Sequence, residues 1–226
     1  AVLVALMLRF AMPSVAPQVA EEPLRHRMFA AYGRVLRQRR AMGFILANGL
    51  IFSAMFTFIT DAAFLYIEYF GIDEARFPLY FGANVVAMLG LNRLNVLLLR
   101  RFDSAAIMAV AVVLQSLAAL TLLLLTLSGY LTLWTTVPLI MVVAGMAALA
   151  IPNALASFLA FFERDSGAAT GLNGCLQFLM AGLIGSGLGL IHNGTPLPMT
   201  ALMAASAVGG MLCFFLLARE KPGLRQ

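Results

Sequence analysis

The chain has 226 residues, of which 62% are hydrophobic and only 11% are charged. A soluble domain of this length could neither bury so much apolar surface nor keep it in water, so the composition excludes a soluble globular protein. The net charge of +5 could suggest a nucleic-acid partner, but the basic residues cluster at the ends of apolar segments, where they set topology and meet anionic headgroups. We therefore expect membrane lipid, and no nucleic acid, as a partner.

The first 40 residues precede the complete membrane spans. Residues 1–12 would form only about 18 Å of helix, too short to cross a bilayer, and are typical of the end of a preceding transmembrane helix. Residues 13–40 contain three prolines and then arginines at helical spacing, which predicts a cytoplasmic loop with a short basic helix on the inner interface. A solvated linker is the alternative. We expect the chain to be part of a longer protein.

Six apolar segments follow, each long enough to cross the hydrocarbon core: 41–67, 77–99, 104–127, 134–161, 168–191 and 197–218. With residues 13–40 placed in the cytoplasm, 13 of the 15 basic residues fall on that side, as the positive-inside rule requires. The connections are short, so we expect sequential helices to be antiparallel neighbours. The sequence predicts an all-α membrane protein, a six-helix bundle over residues 41–218 with a cytoplasmic tail at 219–226.

No pattern of enzyme chemistry is present in the sequence. The HExxH, GxSxG and P-loop motifs are missing, and His26 and His192 fall on opposite sides of the membrane. Cys175 and Cys213 lie in mid-helix and are typical of small apolar fillers rather than of a disulfide or a metal pair. The sequence therefore predicts a protein that is not an enzyme, with no metal site and no cofactor.

Polar side chains at membrane depth fall on one face of four of the six spans: Ser53, Thr57, Thr60 and Asp61; Asn84 and Asn95; Asn153 and Ser157; Thr170, Asn173 and Gln177. Such residues are costly in lipid and tend to face a bundle interior or a water-filled cavity. Four coincident stripes favour a hydrophilic cavity. The alternative for each residue alone is a hydrogen bond that joins two helices.

Asp61 is the only acidic residue inside a predicted span. It has two possible roles: it is simply solvated at the level of the outer headgroups, or it faces a cavity and binds a cation or a proton. Arg93 is close enough to the inner helix end to snorkel to the headgroups. Gly185 and Gly189 form a GxxxG pattern, which we interpret as a surface for close helix packing.

The loops and their flanks resemble a known family. Tyr32–Arg40 (YGRVLRQRR), Gly43 and Leu46–Leu50 (LANGL) resemble the entry to the seventh helix of the major facilitator superfamily, most like its Bcr/CflA (bicyclomycin-resistance) branch of drug:proton antiporters. Further similarities are Asn95 with Arg100-Arg101, Pro152-Asn153-Ala154 with Gly167, and Gln177-Phe178. The resemblance covers residues 12–218. The chain departs from the family at Pro13–Val15, at Glu163, at Ser166–Ala169 and at Asp61, where the family has a small neutral residue.

The resemblance implies the carboxy-terminal half of a twelve-helix transporter in the bacterial inner membrane, with a cytoplasmic carboxy terminus and a missing amino-terminal six-helix half as its partner. It implies export of a small hydrophobic drug-like substrate in exchange for protons, with the proton gradient as energy source. The residues expected to contact substrate are Asn153, Asn173, Gln177 and Thr57. Those expected to form a cytoplasmic gate or anchor are Asn95, Arg100, Arg101, Arg164 and Gly167. Export of a polar metabolite, such as an amino acid or siderophore, and a non-transporting membrane scaffold are the alternatives.

Overall fold

Six long helices carry the fold in a computed structural model that describes residue 33 and residues 36–162 and 166–218. They are α1 (Arg39–Ala63), α2 (Phe77–Leu98), α3 (Ser104–Leu127), α4 (Leu133–Leu159), α5 (Ser166–Ile191) and α6 (Leu197–Cys213). One π-helical turn (Phe64–Tyr69) continues α1 and another (Phe214–Ala218) continues α6. By length and composition, each of the six can cross a membrane. The predicted all-α membrane fold with six spans is confirmed.

Several predictions concern residues that the structure does not describe. They are the end of a preceding helix at residues 1–12, most of the loop and basic helix at residues 13–40, the tail at residues 219–226, and the gate or anchor role of Arg164.

The two ends of the bundle differ in their turns. At one end, Gly71, Gly129 and Gly194 lie in the three connections and have φ values of 65°, 73° and 74°, a backbone region that glycine enters without a Cβ clash. We call this the glycine-turn end. The opposite end carries Arg39, Arg40, Arg100 and Arg101, and we call it the arginine end. The sequence predicts that the arginine end faces the cytoplasm.

Helices α1 and α4 occupy the centre of the bundle. Helix α1 packs against α4, α5 and α6, and α4 packs against α1, α2 and α3, while α3 also packs against α6. Exchanging α1, α2 and α3 for α4, α5 and α6 leaves this set of major contacts unchanged, which is the pattern of two three-helix repeats. The expectation that sequential helices are neighbours is wrong for most pairs. Of the sequential pairs, only α3 and α4 pack extensively, because most of the main contacts join helices that are two or more places apart in the sequence.

Burial separates the central helices from the flanking ones. In the most apolar part of α1, 67% of the residues are buried, whereas the value is 11% for α2 and for α5. The core is therefore built from α1, α3, α4 and α6. Helices α2 and α5 lie against α4 and α1 respectively, and most of their apolar surface remains uncovered within the described residues.

Polar groups and small residues hold the core helices together. The side chain of Gln115 on α3 is fully buried, and its Nε2 donates to the carbonyl oxygens of Ile51 on α1 and Val143 on α4, both at 3.2 Å. Gly43 on α1 lies so close to the end of α6 that a Cβ there would be 2.6 Å from the backbone nitrogen of Ala218. Three helices thus meet at Gln115, and two meet at Gly43.

The GxxxG pattern of α5 has only one packed member. A Cβ at Gly185 would lie 3.5 Å from Oγ1 of Thr60 on α1, whereas one at Gly189 would meet no atom within 4 Å. The interpretation of this pattern as a packing surface is therefore right for Gly185 and wrong for Gly189 within the described residues.

Candidate functional site

Three amide side chains meet between α1 and α5. Nδ2 of Asn48 donates to Oδ1 of Asn173 at 3.2 Å and to Oε1 of Gln177 at 3.0 Å. Asn48 and Asn173 are buried and Gln177 is half-buried. We call these residues the amide cluster. One donor group on the central helix therefore holds two acceptors that are one helical turn apart on the flanking helix.

Aromatic rings lie beside the amide cluster on the same two helices. The rings of Phe52 and Phe178 make an edge contact with centroids 5.2 Å apart, and Phe52 stacks on Phe56 at 5.8 Å. Phe178 directly follows Gln177 and is 64% exposed. A few fixed polar groups beside aromatic surface are typical of sites for small organic ligands.

The amide cluster still has groups to offer a ligand. Its internal bonds use the carbonyl oxygens of Asn173 and Gln177, and the amide nitrogens of these two residues make no hydrogen bond within the described residues. Each is a donor. The cluster can therefore bind the carbonyl, ether or hydroxyl oxygens of a largely apolar ligand.

Asn153, also predicted to contact substrate, lies elsewhere in the bundle. Its Nδ2 donates to Oδ1 of Asn95 on α2 at 2.7 Å and to the carbonyl of Leu149 on its own helix at the same distance. Asn153 and Asn95 are 1% and 4% exposed. The structure thus pairs a predicted substrate residue with a predicted anchor residue between α4 and α2, whereas the amide cluster lies between α1 and α5. Their roles stay predictions.

Of the predicted polar stripe of α1, Ser53 and Thr57 are directed into the bundle, whereas Thr60 is exposed. Thr57 is fully buried, and its hydroxyl donates to the carbonyl of Ser53 at 2.8 Å, while Ser53 donates to Gly49 at 2.7 Å. Such bonds satisfy hydroxyl groups within their own helix. A substrate contact by Thr57 stays a prediction and would require the surrounding helices to separate.

Asp61 lies near the glycine-turn end and is only 9% exposed, so it is not a freely solvated interfacial acid. Its Oδ1 is 3.8 Å from Nδ1 of His192, which directly follows α5. Its Oδ2 is buried and has no hydrogen-bond partner within the described residues. The other reading of Asp61, a cation or proton site, stays a prediction.

The described members of the predicted gate or anchor set, apart from Asn95, lie at the arginine end. Arg100 and Arg101 are exposed in the turn between α2 and α3. Gly167 is exposed in the first turn of α5, where a Cβ would meet nothing within 4 Å. These positions suit contact with headgroups or with another part of a larger protein, and the role stays a prediction.

Two residues of these sites were not singled out from the sequence. Asn48 is about 140° from Ser53 on the helical wheel, so it falls outside the arc of polar residues on α1. His192 was considered only for a histidine metal site. A signal existed for Asn48, since one amide in an otherwise apolar turn implies a partner on another helix.

Comparison with known proteins bears on this geometry. No family model matches the chain. The chain is 26% identical over 216 residues to a bicyclomycin resistance protein homolog of Haemophilus influenzae, with 95% of the chain and 54% of that protein covered. It is 27% identical over 200 residues to an uncharacterized MFS-type transporter, YdgK, of Bacillus subtilis, with 84% and 47% covered.

The predicted resemblance to the major facilitator superfamily is confirmed. The chain spans about half the length of the curated relatives it matches. One of these relatives is named as a transporter, in line with the prediction that this chain does not act as an enzyme. The six apolar helices and these relatives identify a multi-pass membrane protein.

Proposed function

We propose that this chain is the carboxy-terminal six-helix half of a secondary transporter that exports small hydrophobic compounds across the bacterial inner membrane in exchange for protons. The observation that carries the proposal is the amide cluster with its aromatic neighbours. The cluster lies between α1 and α5, two helices that span the membrane, and most of the apolar surface of α5 is uncovered within the described residues. A second six-helix half facing α2 and α5 would close a cavity over this site. The carboxy terminus would then lie in the cytoplasm.

Chemistry connects this site to an amphipathic organic substrate. The rings of Phe52 and Phe178 supply apolar surface, and the free amide groups of Asn173 and Gln177 supply donors for substrate oxygen atoms. The resemblance to a bicyclomycin resistance protein homolog supports a drug-like compound. The proton exchange is supported by the buried carboxyl of Asp61 on α1.

The test uses the full-length protein produced in a drug-sensitised bacterial host. Gln177→Ala and Asn173→Ala should each lower resistance to bicyclomycin and the efflux of ethidium, a fluorescent lipophilic cation. Thr121→Val is the matched control, because Thr121 is exposed on α3 and, in the described part of the chain, its hydroxyl bonds only to the carbonyl of Leu117 in its own helix. Protein amounts are compared by immunoblot of the membrane fraction.

Three outcomes separate the proposal from its alternatives. Loss of resistance in the α5 variants but not in Thr121→Val supports export through the amide cluster. If the protein transports amino acids or siderophores and the variants do not change drug resistance, the substrate is a polar metabolite and not a drug. No transport of any compound by the wild-type protein in vesicles with a pH gradient would favour the scaffold.

A further inference from the structure

We propose that Asp61 and His192 together form a proton-binding site at the glycine-turn end, in which the exposed imidazole passes protons between water and the buried carboxyl. The inference deepens the proton exchange of the proposed function and rests on it. His192 forms the exposed side of this site, which lies between α1 and the end of α5.

The first support is the surroundings of the carboxyl group. Asp61 is 9% exposed, one of its oxygens is 3.8 Å from His192, and the other is buried without a partner in the described part of the chain. A buried carboxylate without donors is costly, and either a proton or a cation beside it removes much of that cost. The site is therefore built to hold one positive charge.

His192 supplies what Asp61 lacks, which is access to water. Its side chain is 35% exposed, and its ring rests edge-on against Phe64 with centroids 4.5 Å apart. Imidazole is the side chain that takes up and releases protons near neutral pH. An exposed imidazole beside a buried carboxyl is thus placed to act as the entry point for protons.

One proton can pass from His192 to Asp61 by the breaking of one bond and the formation of another. His192 takes a proton from water and becomes a cation paired with the Asp61 carboxylate. When the two side chains close from 3.8 Å to hydrogen-bond distance, the Nδ1–H bond breaks and an O–H bond forms on Oδ1. The ion pair becomes two neutral groups, and the reverse step returns the proton.

Few other charged groups surround the pair. From Ser166 to Ala218, across α5 and α6, His192 is the sole titratable or charged side chain apart from the two cysteines. Glu68 lies on the π-helical turn that continues α1, seven residues after Asp61, and is exposed. Asp73, Glu74 and Arg76 in the next connection are exposed. The charge state of the pair is therefore set mainly by its own proton.

The position of the pair connects it to the substrate site. Asp61 is 13 residues after Asn48, about 20 Å along α1, and both residues contact the same partner element, α5 or its end. Proton transfer within the pair removes an ion-pair attraction between α1 and α5 at one end, while the amide cluster joins them near the other. Proton binding thus biases the same helix pair that holds the substrate.

The test measures protonation directly, so it does not depend on transport. Purified full-length protein in phosphatidylcholine vesicles is titrated while infrared absorption of protonated carboxyl groups is recorded. The difference between wild-type and Asp61→Asn spectra isolates the Asp61 band. The midpoint of this band should differ between wild type and His192→Gln, because the imidazole 3.8 Å from the carboxyl is lost. Asp73→Asn, an exposed acid control, should leave the Asp61 band in place.

Either of two results overturns the proposal: no titrating band assigned to Asp61, or a midpoint that is the same in His192→Gln and wild type. Should His192→Gln fail to fold, His192→Arg replaces it, since arginine keeps the charge but does not release its proton. In His192→Arg, the midpoint of the Asp61 band should stay at its wild-type value because the positive charge is kept. Proton uptake by Asp61 should become slower, because the arginine does not release a proton.

Ethidium transport then separates this inference from the proposed function. Asp61→Asn should abolish efflux driven by a pH gradient while leaving downhill movement of ethidium intact. If the wild-type protein shows neither gradient-driven efflux nor downhill movement of ethidium, the proposed function is wrong. The infrared result on Asp61 would still stand. Gradient-driven efflux that survives in Asp61→Asn would overturn the role of this pair in coupling.

Discussion

Asn153 on α4 donates a 2.7 Å hydrogen bond to Asn95 on α2, and so joins a central helix to a flanking helix in apolar surroundings. Asn48 on α1 makes the corresponding bond to Asn173 on α5. In both pairs the donor is on the central helix. The two asparagine pairs are therefore related in the same way as the helix contacts. Exchanging α1, α2 and α3 for α4, α5 and α6 turns the α4–α2 pair into the α1–α5 pair.

The Asn153–Asn95 pair should contribute to stability. Asn153→Ala leaves the oxygen of Asn95 buried without its partner, and we expect a loss of about 1 kcal/mol of unfolding free energy. Thermal unfolding of the full-length protein in detergent measures this loss. A double-mutant cycle with Asn95→Ala should give a coupling of similar size, whereas Asn92→Ala, at an exposed position on α2, should show none. Equal losses that simply add would contradict the pairing.

Asn48 should control the affinity of the amide cluster for substrate. In Asn48→Ala, Asn173 and Gln177 lose their shared donor, so their side chains are no longer held in position. If the proposed function holds, we expect KM for ethidium to rise about tenfold, equal to about 1.4 kcal/mol, with normal amounts of protein in the membrane. Kinetics in inverted vesicles measure it, and an unchanged KM would show that Asn48 does not position the cluster.

Gly43 should tolerate no larger side chain. A Cβ at this position would lie 2.6 Å from the backbone of Ala218 and 2.7 Å from Cβ of Leu217, so α1 and α6 would have to separate. Gly43→Val should cost about 1–3 kcal/mol through overpacking and lower the melting temperature in detergent. Gly90→Ala is the control, because a Cβ there meets nothing within 4 Å; a similar loss in both variants would refute the close approach.

Gln115 should be a major stabilising residue of the core. Gln115→Ala removes two interhelical hydrogen bonds and leaves a cavity among α1, α3 and α4, for which we expect a loss of about 2 kcal/mol or more. Thr121→Ala, on the exposed side of the same helix, should change the unfolding free energy little. A small effect at Gln115 would mean that the three helices are held by apolar packing alone.

The sequence was sufficient for the positions of the spans and insufficient for their partners. Hydrocarbon thickness fixes span length, so α3 (Ser104–Leu127) has the predicted bounds and the other helices begin and end within a few residues of theirs. Which helices touch depends on long-range packing, which short connections do not determine. This is why the expectation of neighbouring sequential helices was wrong.

The sequence could predict which polar residues of α5 belong to the site, but not which residues they contact. The stripe on α5 led correctly to Asn173 and Gln177 as neighbours on one face, yet their shared partner Asn48 lies off the polar arc of α1. The helical wheel places residues on one helix at a time. It cannot distinguish Thr57, which bonds within its own helix, from Asn48, which bonds across to another.

The order of synthesis gives the packing of α1 a further consequence. Its partners α4, α5 and α6 leave the ribosome only after α1, α2 and α3 have been made. During that interval Asn48 and Asp61 lack the side chains that they contact in the finished bundle, although polar groups are costly in lipid. Until α5 is in place, the cost of these two polar groups in lipid opposes stable insertion of α1.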